Sequence, residues 1–150
     1  MQVCSCLEVG SLTPSPGLVN VISTNVSIPC FALVRPRAGD FVYSDLEFEA
    51  MCYDIEELLN SGAKGLVLGC LDPQRDIDLA AVKKLIKIAM AKSPGVELTF
   101  HRAIDMSKDI LKTTKTVRGL GFVRILTSGG HANVMEGAGV IKKLRGELRD

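Results

Sequence analysis

Four apolar runs recur along this chain: Ile28 to Val34 (IPCFALV), Gly65 to Cys70 (GLVLGC), Val96 to Phe100 (VELTF) and Phe122 to Leu126 (FVRIL). Each is followed by a turn and then by apolar residues at helical spacing, and each cycle takes about 30 residues, the size of one βα repeat. The runs show little polar alternation, as expected of strands in a parallel sheet covered on both faces. After the first run, Ser44 and Glu47 form a capping box. Leu46, Phe48, Met51, Ile55, Leu58 and Leu59 then repeat at helical spacing until Gly62 supplies a stop. After the second, Asp76 or Asp78 caps a helix carrying Leu79, Val82, Leu85, Ile86 and Met90, which Ser93-Pro94-Gly95 ends. Ser107 is positioned to cap a third helix with Ile110, Leu111 and Val117, and His131 to open a last one with Val140, Ile141 and Leu144. Gln2 to Cys6 reads as a short additional strand, and Pro14-Ser15-Pro16-Gly17 as a turn before a short helix, Leu18 to Ile22.

Strands alternating with helices predict an α/β fold with a mainly parallel sheet and right-handed crossovers, either wound open or closed as a barrel. With 150 residues, 47% of them apolar, the chain builds one ordinary core, and 1–150 reads as a single domain. A complete (β/α)8 barrel takes about 250 residues, so about five parallel strands with flanking helices would make only part of one. Eighteen Lys and Arg against 17 acidic residues leave a formal charge of +1, which argues against a nucleic-acid partner. The apolar stretches fall well short of the roughly 20 residues that span a bilayer, and no signal-peptide pattern is present. A cytoplasmic protein without membrane contact is therefore expected. Five cysteines, an odd number without a secretory mark, predict thiols rather than disulfides.

Charged and small polar residues follow three of the runs, at the carboxyl ends of the predicted strands where α/β folds build their sites. Thr99 and His101 alternate with Leu98 and Phe100, which places the polar pair on one face. Asp105 follows closely enough to orient the His101 imidazole or to pair with Arg102. A proton shuttle, an anion site or a salt-bridge network each fits that pattern. Arg35 and Arg37 flank Pro36 and precede Gly39, Asp40 and Tyr43. They either clamp a carboxylate or phosphate in bidentate fashion or brace the loop through Asp40. Thr127, Ser128 and Gly129 could present N–H groups to an anion. Cys4 and Cys6 share a face if their segment is a strand, and soft thiolates select Cu(I) or zinc over hard cations; a structural zinc site needs four ligands, whereas Cu(I) manages with two or three. Cys30, Cys52 and Cys70 read as buried small apolar residues, and His131 as a surface residue.

The segments RPRAGDFVYSDLEFEAM, TFHRAIDM and LGFVRILTSGG, in this order and spacing, resemble the motifs of the CutC family of copper homeostasis proteins. The resemblance covers nearly the whole chain. It implies a (β/α)8 barrel, a cytoplasmic location, Cu(I) binding through cysteine thiolates, and self-association. It also implies a pocket formed here by Arg35, Arg37, Asp40, Tyr43, His101, Arg102 and Asp105.

MQVCSCLEVGSLTPS aligns with the family's second strand and the loop after it. Gln2 stands where a glutamate is usual, Cys4 keeps the family cysteine, Val9 replaces the loop glutamate and Ser11 replaces a glycine. The family's first strand, with its other cysteine, has no counterpart in this alignment, nor have its last two βα units. Cu(I) coordination would then use Cys4 with Cys6. An incomplete barrel also leaves two strand edges unpaired, near Gln2 and Phe122, so a homo-oligomer is expected. Two functions follow. One is copper homeostasis through Cu(I)-binding thiolates. The alternative is a barrel enzyme in which Arg35 and Arg37 hold a small anionic substrate while His101, oriented by Asp105, exchanges a proton.

Overall fold

The computed structural model describes residues 1–147; Leu148–Asp150, the end of the span read as one domain, lie outside the described residues. Five parallel strands form one sheet in sequential order: β1 (Gln2–Val3), β2 (Phe31–Leu33), β3 (Gly65–Leu68), β4 (Glu97–Phe100) and β5 (Arg124–Ile125). The connecting helices are α1 (Pro16–Asn25), α2 (Asp45–Asn60), α3 (Leu79–Lys92) and α4 (Ile110–Gly119), and α5 (Ala138–Glu147) follows β5. Doubly wound sheets reverse their strand order at a switch point. Here each strand pairs with the next in sequence, as in a sector of barrel wall. The expected partial (β/α) barrel with flanking helices is what the chain forms.

The local signals act as their chemistry dictates. Ser44 and Glu47 close a reciprocal capping box on α2, and Gly62 adopts φ +98° just past its end. Ser15 caps α1, which runs from Pro16 and so exceeds the predicted Leu18 to Ile22. Of the two aspartates before α3, Asp78 caps by accepting from Ala81 N–H, while Asp76 pairs with Lys112. Asp109, not Ser107, caps α4, accepting from Leu111 and Lys112; the Ser107 hydroxyl instead donates to the Ile104 carbonyl and closes a 3₁₀ turn over Arg102–Met106. His131 lies in the loop before α5 and does not open that helix.

The strands are shorter than the apolar runs. Ile28 is exposed, and the ladder of β2 starts only at Phe31, past Pro29, which has no N–H to contribute. At the amino end β1 stops at Val3. Ser5 then bridges Leu12 antiparallel, and Cys6 turns left-handed at φ +51°. The expected strand face shared by Cys4 and Cys6 therefore does not exist.

One side of the sheet carries Val3, Ala32, Val34, Leu66, Leu68, Leu98 and Phe100. These pack on Val19, Met51, Ile55, Leu58, Val82, Leu85, Ala89 and Val117 of the helices in one core. The alternate residues face the other way and fall into rows because the register is parallel. Phe31, Gly65 and Glu97 form one row, and Leu33, Val67, Thr99 and Arg124 the next. Arg124 covers these rows: it pairs with Glu97, donates to Thr99 Oγ1 at 3.4 Å and lays its guanidinium 4.4 Å from the centre of the Phe31 ring. This face of the sheet is thus covered, at these rows, by a cation on an aromatic ring.

Gly65 sits where this row is tightest. A Cβ there would lie 2.3 Å from the Phe31 ring and 2.6 Å from the Glu97 carbonyl oxygen. Gly65→Ala should therefore destabilise the protein by about 2–3 kcal/mol through overpacking. A urea midpoint equal to that of the parent would disprove this crowding.

Candidate functional site

Two residues beyond the second row, the same alternation brings Arg35, Gly69 and His101 to the carboxyl end of the sheet. The ladder continues to this height, with Val34 N–H donating to Val67 at 2.9 Å and His101 N–H to Leu68 at 3.2 Å. Gly69 matters because it has no side chain. A Cβ on it would lie 2.9 Å from the Phe100 ring and 3.0 Å from His101 Nδ1, so these two rings together use the space that a larger residue would fill.

Arg35 is only 7% exposed. Its Nη1 donates to the carbonyls of Gly10 at 2.9 Å and Ser11 at 3.1 Å, and its Nη2 to Gly39 at 3.0 Å. The side chain therefore ties the loop after β1 to the loop after β2. Its Nε is buried with no partner, and no carboxylate among the described residues pairs with it. Ser11 adopts φ +74° where it presents its carbonyl to this guanidinium.

Arg37 serves a different purpose. Its Nε bonds Glu47 Oε1 at 2.6 Å and its Nη2 bonds Asp40 Oδ1 at 2.9 Å and the Val42 carbonyl at 2.7 Å, with the guanidinium 5.4 Å from the Tyr43 ring centre. Glu47 gives its other oxygen to the Ser44 N–H, so Arg37 is fastened to the capping box of α2. Of the two readings of these arginines, bracing describes Arg37, and the two guanidiniums form no shared clamp. The hydrogen bond to Arg37 holds the Asp40 carboxyl below its usual range. Burial pushes the Tyr43 phenol up, and its hydroxyl has no partner.

His101 is 2% exposed and packs 4.8 Å, centroid to centroid, from Phe41, over whose ring Arg35 also lies at 4.8 Å. Its Nδ1 accepts the Ala103 N–H at 3.3 Å, and its Nε2 is buried without a partner. Burial, and then the nearby Arg35 charge, push the imidazole down to about 3, so His101 is neutral.

Asp105 does not orient His101. Its carboxylate pairs with Arg102 and accepts from the Thr127 hydroxyl, from Ser128 N–H at 3.0 Å and from Gly130 N–H at 2.8 Å. Gly129 and Gly130 adopt φ +72° and +75°, the left-handed geometry that turns successive N–H groups inward. The anion that the TSGG loop was expected to bind is thus the protein's own Asp105. Burial raises this carboxyl, but the hydroxyl, the two N–H groups and Arg102 outweigh it and hold it below the usual range. Arg102 also donates to Ser128 Oγ at 2.7 Å. Thr127, Ser128, Gly129, Arg102 and Asp105 therefore form one closed network beside His101.

All five cysteines are free; Cys6 is exposed, Cys4 and Cys52 half-buried, Cys30 and Cys70 buried. Burial pushes the Cys70 thiol up to about 12, so it remains protonated. Among the described residues no group of three or more His, Cys, Asp or Glu side chains gathers to hold a metal ion. The residues that sequence reasoning missed are Phe41 and Gly69. Phe41 is an apolar residue inside a polar loop, which is a faint signal, and a lone glycine after a strand carries none.

The sequence profile of the CutC family matches residues 1–148. The chain belongs to the CutC family. It is 46% identical over 144 residues to a family protein CutC of Xylella fastidiosa (strain Temecula1), covering 96% of this chain and 52% of the relative. It is 43% identical over 144 residues to the human copper homeostasis protein cutC homolog, covering 96% of this chain and 51% of that protein. A solved structure of a CutC protein from Streptococcus agalactiae superposes with a TM-score of 0.88 at 33% identity, over 96% of this chain and 70% of the other. The chain spans about half the length of these curated relatives. No described helix is long and apolar enough to cross a membrane.

A neutral buried histidine makes stability depend on pH in a known direction. The unfolded chain takes up a proton below about 6.5 while native His101 stays unprotonated down to about 3, so the stability it contributes is present above 6.5 and lost as pH falls. Between pH 6.5 and 5 the parent should lose up to about 1.4 kcal/mol per pH unit more than His101→Gln does. Parallel pH profiles in urea unfolding would show that the imidazole titrates normally.

Proposed function

We propose that this chain serves copper homeostasis in the cytoplasm by binding Cu(I) through the thiolates of Cys4 and Cys6. Membership of a family whose human member is named a copper homeostasis protein carries this reading. The donor chemistry supports it. Two free thiols lie just past the carboxyl end of β1, one exposed and one half-buried, and sulfur ligands favour Cu(I) over hard cations. Cu(I) tolerates two soft ligands, whereas a structural zinc site takes four, which these residues do not supply. Five unpaired thiols suit a reducing compartment. Among the described residues the outer edges of β1 and β5 have no strand partner, which supports self-association.

In a competition titration with a Cu(I) chelator, the parent should retain one Cu(I) per chain. Cys4→Ser with Cys6→Ser should weaken binding at least a hundredfold, while Cys52→Ser leaves it unchanged. Equal affinity of the parent and the double variant would remove the thiolate pair from copper handling.

A second reading has its own observation. Two buried donors at the carboxyl end of the sheet, Arg35 Nε and His101 Nε2, have no partner, as in a site that awaits a small anionic substrate. A metabolite screen should then find turnover of a small anion that His101→Ala abolishes with Cu(I) binding intact. No turnover across the screen counts against an enzyme.

A further inference from the structure

Buried donors are almost always paired, and a buried cation nearly always has a counter-charge, because each costs several kcal/mol when left alone. Arg35 breaks both rules. Its four bonded acceptors are all backbone carbonyls, those of Val9, Gly10, Ser11 and Gly39, and its Nε is left over. Arg37 and Arg102, on the same end of the sheet, each have a carboxylate partner. Asp40, five residues on, is paired with Arg37, and Asp105 is committed to Arg102 and the loop over Thr127–Gly130.

His101 shows the matching deficit. Because its Nδ1 accepts the Ala103 N–H, the proton of the neutral ring sits on Nε2, which is therefore a buried donor without an acceptor. The two donors share a wall. Both side chains lie against Phe41, and the one position between them in the top row, Gly69, has no side chain to separate them. The far side of Phe41 borders a cavity of about 340 Å³ that Asp40, Val42, Leu71, Pro73, Arg75 and Met106 complete, so this ring alone stands between that cavity's lining and the two side chains packed on it.

We propose that Arg35 Nε–H and His101 Nε2–H form a two-donor seat for one small carboxylate, with His101 acting as a neutral hydrogen-bond donor rather than as a base. Two donors and one unneutralised charge match the two oxygens and single charge of a carboxylate. A neutral imidazole that donates to a substrate oxygen polarises it without accepting a proton, a role distinct from the shuttle expected from the sequence. This inference rests on the second reading, that this end of the sheet takes a small anion, and is independent of the thiolates.

The test uses the intact chain with ¹⁵N-labelled side chains in NMR. Two-bond correlations should place the His101 proton on Nε2. Sodium acetate, the probe, should shift the His101 Nε2–H and Arg35 Nε–H resonances together and saturably. Sodium chloride and inorganic phosphate at equal ionic strength should not. His101→Phe, which keeps an aromatic ring against Phe41, should weaken acetate binding at least tenfold. A proton on Nδ1, acetate shifts no larger than those with chloride, or undiminished binding in His101→Phe would each overturn the seat. The first two outcomes need only the parent protein, so the inference stays testable if the variant does not fold. Turnover of a small anion by a protein whose His101 proton is on Nδ1 would retain the enzyme reading and remove the seat, so the two failures are separable.

Discussion

The parallel register of the sheet is the constraint on which the rest depends. Phe31 opposite Gly65 opposite Glu97, and Leu33 opposite Val67 opposite Thr99, set the heights at which inward side chains meet. A slip of one residue on a strand would exchange its two faces, sending Arg35 into the helix layer if it fell on β2 and His101 if it fell on β4. Gly65 and Gly69 are points of close approach between neighbouring strands: the first admits the Phe31 ring, and the second the Phe100 ring together with the His101 imidazole. With Arg124 spread over Phe31 and tied to Glu97, the lower rows are filled and the polar chemistry is confined to the carboxyl end.

At that end the structure sorts superficially similar groups into different tasks. Asp105 neutralises Arg102 and fills the nest of N–H groups in the TSGG turn, so an internal carboxylate does what a bound anion would do in a phosphate loop. Arg37 fastens the loop after β2 to the start of α2 through Glu47. Arg35 holds two loops by their carbonyls yet keeps an uncompensated charge. Low dielectric around a buried guanidinium strengthens any interaction it makes with an anion and suppresses protonation of the nearby imidazole. The same burial that leaves these donors unpaired thus fixes the protonation state in which His101 can donate.

Much of the fold was legible in the residues. The continuous apolar runs, the Ser44–Glu47 box and Gly62 announce strand, helix and stop through local chemistry alone, and the repeat length makes the sheet parallel. The errors came where tertiary partners decide. Cys4 to Cys6 has strand-like alternation, but Ser5 finds Leu12 instead of β2 and the chain curls away at Cys6. Ser107 is a good capping residue that spends its hydroxyl on the preceding turn, leaving Asp109 to cap α4. In the candidate site the local pairs Arg102–Asp105 and Arg37–Asp40 were legible, but the long-range ones were not: Asp105 is four residues from His101 in sequence, yet its remaining partners are Thr127, Ser128 and Gly130, more than twenty residues away.

The sequence by itself determined the α/β repeat, the capping box of α2, the free thiols and the gathering of polar residues after strands, and its motifs pointed to the CutC family, because each of these depends on residue type and near spacing. Only the tertiary structure decided which polar groups satisfy one another. That outcome turns on distances between loops from different strands, set by register and by the absence of a side chain at Gly69. Composition holds no record of such distances, and so nothing in the chain read as letters shows that Asp105 is spoken for while Arg35 and His101 still have a hydrogen bond to give.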